Sequence, residues 1–149
     1  DTKIKKGLKL CGVKINYNKL IGHSDADVGI HAICDSIFGA LSMKDIGHYF
    51  SNNDPKLKNR NSVYFLNFAR EQLKEKNFFI VNLDVNFICE NPNISKYRKK
   101  MIKKISSILK IPEKIISIKA TTNEKIGYIG DGLGIAAESI VQICNDNFN

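Results

Sequence analysis

The sequence predicts an α+β fold, with one mixed sheet packed against a helical layer. Residues 7–15, and 81–90 within a longer run, read as alternating strands, and residues 135–144 as the last strand. Apolar residues recur at helical spacing over 28–41, 65–73 and 97–108. The last two strands lie close together in the chain and read as an antiparallel closing hairpin.

In chain order, residues 7–15 form the first strand and 16–20 a turn. Ser24 stands three residues before Asp27, a capping-box-like pair with Asp in place of Glu or Gln. Val28, Ala32, Ile33, Ile37 and Leu41 then define one helical face. Residues 44–61 are polar and hold Asp54-Pro55, a loop of about 18 residues, long enough to suspect function. Ser62 is placed as the cap of a second helix, whose apolar face is Phe65, Leu66, Ala69 and Leu73. Residues 78–90 form a long strand ended by Asn91-Pro92-Asn93. A third helix over about 95–109 buries Tyr97, Met101, Ile105 and Ile108. Its outer face carries Lys96, Lys99, Lys100, Lys103 and Lys104, and Pro112 marks its end. Residues 115–121 form a strand. A glycine-studded segment (Gly127, Gly130, Gly132, Gly134) leads into the last one. The expected order is β-α-α-β-α-β-β, in one domain spanning 1–149.

Composition narrows the function. A chain of 149 residues is about one domain. Its hydrophobic fraction of 43% and charged fraction of 26% exclude a disordered tail and a disulfide miniprotein. No apolar run reaches the ~18 residues a membrane span needs. The first residue is not Met and no leader is evident, so a mature or trimmed form is expected. Lys and Arg number 23 against 15 Asp and Glu, a net charge of +8. Only Arg60, Arg70 and Arg98 are arginines, whereas nucleic-acid readers lean on Arg. The lysines are read as a solvated face, with steering of an anionic partner as the alternative. Cys11, Cys34, Cys89 and Cys144 form no C-x-x-C pair and read as buried thiols of a reducing compartment. The excess of Ile and Asn resembles the usage of an AT-rich genome.

Two constellations carry chemistry. Asp27, His31 and Asp35 fall at i, i+4 and i+8, and so share one helical face. His23, Ser24 and Asp25 precede them at the helix start, where free amides favour anions. This density points to a metal or phosphate site, and imidazole with carboxylate suits Zn²⁺ or Mn²⁺. His31 alone cannot hold zinc. The second constellation is Lys119-Ala120-Thr121-Thr122-Asn123-Glu124-Lys125, at a strand end. Its hydroxyls, carboxylate and lysines suit a phosphate with Mg²⁺.

These segments together resemble the 2-C-methyl-D-erythritol 2,4-cyclodiphosphate synthase family. The matching runs are Gly22 to Val28, His31-Ala32, Asp35, Lys44-Asp45-Ile46-Gly47, Phe50, Asp54-Pro55, and Lys119 to Thr122 with Glu124-Lys125 and Gly127. The likeness runs from about Leu8 to the C-terminus. It implies a homotrimer with sheets facing the axis and active sites between subunits. It implies cyclisation of 4-diphosphocytidyl-2-C-methyl-D-erythritol 2-phosphate with release of CMP, in the non-mevalonate isoprenoid pathway. By the resemblance His31 is a zinc ligand and Glu124 a magnesium ligand. His23 and Thr122 stabilise the transition state at the phosphates. His23, Ser24 and Asp54 border the methylerythritol phosphate, near Phe50. Asp45, Ile46 and Gly47 hold the ribose. Residues 89–95, including Cys89, Asn93, Ile94 and Ser95, form the cytosine pocket with Thr121. Helical spacing makes Asp35 a partner for the His31 ring.

Three departures stand out. The family's N-terminal Asp-x-His supplies two zinc ligands and occurs nowhere here, so a missing upstream segment is expected. Its Lys-Met-Leu in the cytosine loop is Asn93-Ile94-Ser95, with the pocket expected to survive. Asp131 replaces an axial Arg and would repel an isoprenoid diphosphate. An inactive trimeric paralogue and a basic nucleic-acid-binding module are the alternatives. The expected compartment is a plastid-type organelle (an apicoplast), or else a bacterial cytoplasm.

Overall fold

The structure is a computed structural model that describes residues 6–18, 20–21, 25–51, 53–57 and 60–145. The chain opens with a hairpin of β1 (Lys6–Leu10) and β2 (Val13–Asn18). A single strand over 7–15 was expected. It is broken at Cys11 and Gly12, both left-handed with φ 47° and 75°. Two consecutive positive φ values make the tight turn whose twist matches a hairpin.

Helix α1 (Val28–Ala40) follows, then a short α2 (Ile46–Tyr49) inside the polar loop, then α3 (Ser62–Glu75). The α3 cap is Asn61, whose side chain accepts from the Val63 amide, and not Ser62, the first helical residue. Strand β3 (Phe78–Ile88) leads to a 3₁₀ turn over Ile94–Lys96 and to α4 (Arg98–Leu109). The predicted third helix is thus two pieces, and Tyr97 between them is only half-buried. The five lysines of its outer face are exposed, as expected. Strand β4 (Ile116–Thr121), a short α5 (Gly127–Gly130) and β5 (Ala136–Asn145) complete the chain.

The sheet is mixed, in the order β4-β3-β5. The closing hairpin does not form. β4 pairs parallel with β3, and β5 pairs antiparallel with its other edge. β3 is the central strand, paired on both edges, and Ile80, Leu83, Val85 and Phe87 bury their side chains on one of its faces. The segment 122–135 carries the chain past its end. Helices α1, α3 and α4 cover that buried face, with Phe38, Ile33, Leu66, Met101 and Ile105 filling the layer between. Arg98 Nε ties α4 to the Ile118 carbonyl at 2.9 Å.

Candidate functional site

The parallel pair β3–β4 ends together, with Ile88 beside Thr121 and the Cys89 amide donating to the Thr121 carbonyl at 3.1 Å. Helix α1 begins at the same end. A Cβ on Gly29 would fall 2.7 Å from both Phe87 Cζ and Cys11 Sγ, so a side chain there would push the helix off the strand. Two groups of polar residues gather here.

The first surrounds His31. Asp27, read from sequence as sharing its face, is instead the fully buried N-cap of α1. Its carboxylate accepts from the amides of Cys11 at 2.8 Å, Gly12 at 2.7 Å and Ile30 at 3.0 Å. Burial pushes its pKa up to about 6 against the pull of those bonds. Asp25 accepts from the Ser62 amide at 3.1 Å, from the Ser62 hydroxyl, and from Lys9 Nζ at 3.1 Å. Burial raises its pKa, but the bonds from Ser62 and Lys9 outweigh it and hold the carboxyl below its ordinary value.

Ser62 Oγ also lies 3.3 Å from His31 Nε2. A carboxylate can only accept, so the hydroxyl proton points to Asp25. The oxygen then accepts from Nε2–H, which leaves the ring's lone pair on Nδ1. Burial lowers the His31 pKa, opposed by the charges of Asp25 and Asp35, so the ring is neutral near pH 7. Phe65 meets its edge at 6.0 Å. Sequence reasoning missed Ser62 and Lys9, which lie far from His31 in the chain.

Asp35 Oδ1 accepts from the Ile46 amide at 2.8 Å, and the His31 ring's hydrogen-bond partner is Ser62. Asp35 thereby fastens the start of α2 to α1. Asp45 caps α2 by accepting from the His48 amide at 2.9 Å, which leaves Ile46 half-buried and Gly47 exposed. Phe50 packs on Phe65 at 4.7 Å and on Phe68 at 5.0 Å, and Asp54 accepts from the Lys56 amide at 2.9 Å. His23 and Ser24, including the capping-box reading of Ser24, lie outside the described residues.

The second group sits where β4 ends. Thr122 Oγ1 donates to Glu124 Oε1 at 2.9 Å and accepts from the Glu124 amide at 3.4 Å. Glu124 and Lys125 are both left-handed, with φ 51° and 59°. Glu90 Oε1 accepts from the amides of Asn123 at 3.0 Å and Lys125 at 3.2 Å. Beside it, Cys89 and Ile94 are buried and Asn93 accepts from the Ser95 amide at 3.1 Å. Lys119 turns to the sheet face and pairs with Asp84 at 2.8 Å.

Among the described residues no hydrogen bond or ion pair joins the two groups, and no three His, Cys, Asp or Glu side chains converge to hold a metal. His31 therefore fits a zinc site as one ligand of an incomplete set. Glu124, exposed and at a loop, fits a hard cation as one oxygen donor.

A model of the YgbB family matches residues 2–144. A bifunctional enzyme IspD/IspF of Wolbachia pipientis is 48% identical over 95% of this chain and 36% of its own length. The chain thus spans little more than a third of that relative. A 2-C-methyl-D-erythritol 2,4-cyclodiphosphate synthase of Ehrlichia canis is 44% identical, covering 94% of this chain and 82% of its own. A solved structure of IspF from Plasmodium falciparum, a CDP complex, is 42% identical with a TM-score of 0.86, covering 95% of this chain and 85% of that one.

Proposed function

We propose, from the premise that the chain belongs to the YgbB family, that it is a single 2-C-methyl-D-erythritol 2,4-cyclodiphosphate synthase domain. It would cyclise 4-diphosphocytidyl-2-C-methyl-D-erythritol 2-phosphate and release CMP. The observation that carries this reading is the Thr122–Glu124 pair at the end of β4, set against loop 89–95. The pair offers a hydroxyl and a carboxylate side by side on an exposed turn, next to a loop able to take a base.

In this reading the substrate's 2-phosphate attacks its own β-phosphorus and CMP leaves. The protein supplies no nucleophile, so its work is positioning and charge control. Residues Cys89, Asn93, Ile94, Ser95 and Thr121 would hold the cytosine. Asp45, Ile46 and Gly47 would hold the ribose, on a loop that Asp35 anchors. Phe50, Asp54 and Ser24 would border the methylerythritol phosphate. Thr122 and His23 would contact the phosphates as charge develops. His31, neutral, would give Nδ1 to Zn²⁺ or Mn²⁺, and Glu124 an oxygen to Mg²⁺. When bound, those ions supply positive charge at the phosphates.

Among the described residues, the two polar groups of one chain are not joined to each other. This supports sites shared between neighbouring chains of a homotrimer. The lysines of α4 are exposed, and it is the match to the YgbB family and to a named synthase that disfavours the nucleic-acid alternative. The similar proteins named from Wolbachia and Ehrlichia are bacterial. They favour a bacterial cell over the plastid-type organelle suggested by the residue bias.

The test is to supply the substrate with Zn²⁺ and Mg²⁺ and follow CMP by chromatography. Glu124→Gln is expected to lower turnover far more than CDP affinity. No CMP from the protein with bound metal would overturn the reading and favour an inactive paralogue. Unchanged turnover in Glu124→Gln would remove Glu124 from it.

A further inference from the structure

We propose that Glu90 is a positioning residue, whose side-chain oxygen clamps the Thr122–Glu124 turn to the loop assigned to the base. The inference rests on the cyclase reading above. Glu90 belongs to loop 89–95, and the two amides it holds belong to the turn. Oε1 alone accepts both, from Asn123 at 3.0 Å and Lys125 at 3.2 Å. One residue earlier, the Cys89 amide donates to the Thr121 carbonyl at 3.1 Å and closes the same joint in the backbone.

The turn needs holding. Glu124 and Lys125 are consecutive left-handed residues with side chains, at φ 51° and 59°. Such backbone is disfavoured when a Cβ is present, and it persists where its surroundings over-determine it. Part of the hold is internal. The Ile126 amide donates to the Asn123 carbonyl at 2.9 Å, and Asn123 Nδ2 donates to the Ile126 carbonyl at 2.6 Å. Gly130 closes on the other side, where a Cβ would lie 2.2 Å from the Lys125 carbonyl carbon. These contacts shape the turn but do not fix it relative to loop 89–95. Glu90 supplies that tie, so the spacing between base and phosphate sites is set before substrate arrives.

Because both bonds end on one oxygen, the geometry asks for an acceptor at this reach and not for a charge. Glutamine meets that demand. Aspartate keeps the charge but is one methylene too short, and leucine has the bulk without an acceptor.

The test compares Glu90→Gln, Glu90→Asp and Glu90→Leu with the parent protein, by amide exchange, CDP affinity and CMP release. The Asn123 and Lys125 amides are expected to be protected in the parent and in Glu90→Gln, and to exchange freely in the other two. Turnover should fall roughly 10- to 100-fold in Glu90→Asp and Glu90→Leu. CDP affinity should move much less, and Glu90→Gln should keep parental turnover. Protected amides with full turnover in Glu90→Asp would overturn the proposal, as would Glu90→Gln falling alongside Glu90→Leu. Should Glu90→Leu fail to fold, Glu90→Asp carries the comparison. If the parent releases no CMP, the cyclase reading fails, while amide exchange still decides the clamp.

Discussion

Ser62 shows how one hydroxyl can decide the chemistry of a distant ring. Its proton is taken by Asp25 and its lone pair faces His31 Nε2. The Nδ1 lone pair of His31 is then the one available to a ligand. In Ser62→Ala the ring loses this constraint, while Asp25 still holds Lys9. Nitrogen-15 NMR of the metal-free parent is expected to show the Nε2–H tautomer, with a mixture in Ser62→Ala. Zinc affinity should fall by about 10-fold, as for other hydrogen-bond partners of ligating histidines. A parent ring protonated at Nδ1 would refute the arrangement. His31→Ala is expected to abolish zinc binding with little loss of fold, since the ring is only half-buried and faces polar neighbours. A collapse of its Tm would make His31 a packing residue instead.

Asp27 joins two elements, the β1–β2 turn and the start of α1, through three amides. Asp27→Ala would leave those donors buried and unpaired. It should cost at least about 2 kcal/mol in urea unfolding at pH 7. The pH dependence has a definite sign. The folded carboxyl has its pKa raised from 3.8 to about 6, so the native state holds the proton longer than the unfolded chain. Its contribution to stability is full below the unfolded value and falls as pH rises to about 6. The stability gap between parent and Asp27→Ala should therefore be larger at pH 4 than at pH 7. A gap that widens toward neutral pH would mean the folded carboxyl is shifted the other way. What the sequence could show about these elements followed from range. Helix α1 and the alternation along β3 are local periodicities, and they were legible. The apolar alternation changes phase at the left-handed Cys11-Gly12, from Leu8 and Leu10 to Val13 and Ile15, a local signal of the turn that the reading of one strand over 7–15 passed over. The helical spacing of Asp27, His31 and Asp35 was real, but burial turned Asp27 into a cap and an amide took Asp35. Ser62 reaches Asp25 across 37 residues, and no local pattern records that contact.

At the scale of the whole molecule, one face of the sheet is covered by helices and the other is open. The open face presents Ile140, 74% exposed, opposite Asp84 in the β3–β5 register. Phe79 at the other end of β3 is 47% exposed. Asp84 Oδ2 is held by Lys119, yet among the described residues its Oδ1 is shut from solvent with no partner. An exposed Ile beside an unpaired acceptor is what a face built for contact with other copies would show. If three chains bring these faces to a common axis, Ile140→Glu places three carboxylates together in a dry space. The cost of burying like charges should dissociate the assembly while each chain keeps its fold. Sedimentation velocity is expected to give three times the chain mass for the parent and the single-chain mass for Ile140→Glu, with unchanged circular dichroism. CMP release should vanish with the assembly, because the His31 group and the Thr122–Glu124 group would no longer meet across a seam. A parent that sediments as one chain and still releases CMP would place both groups in a single-chain site, and would leave the open face without this role.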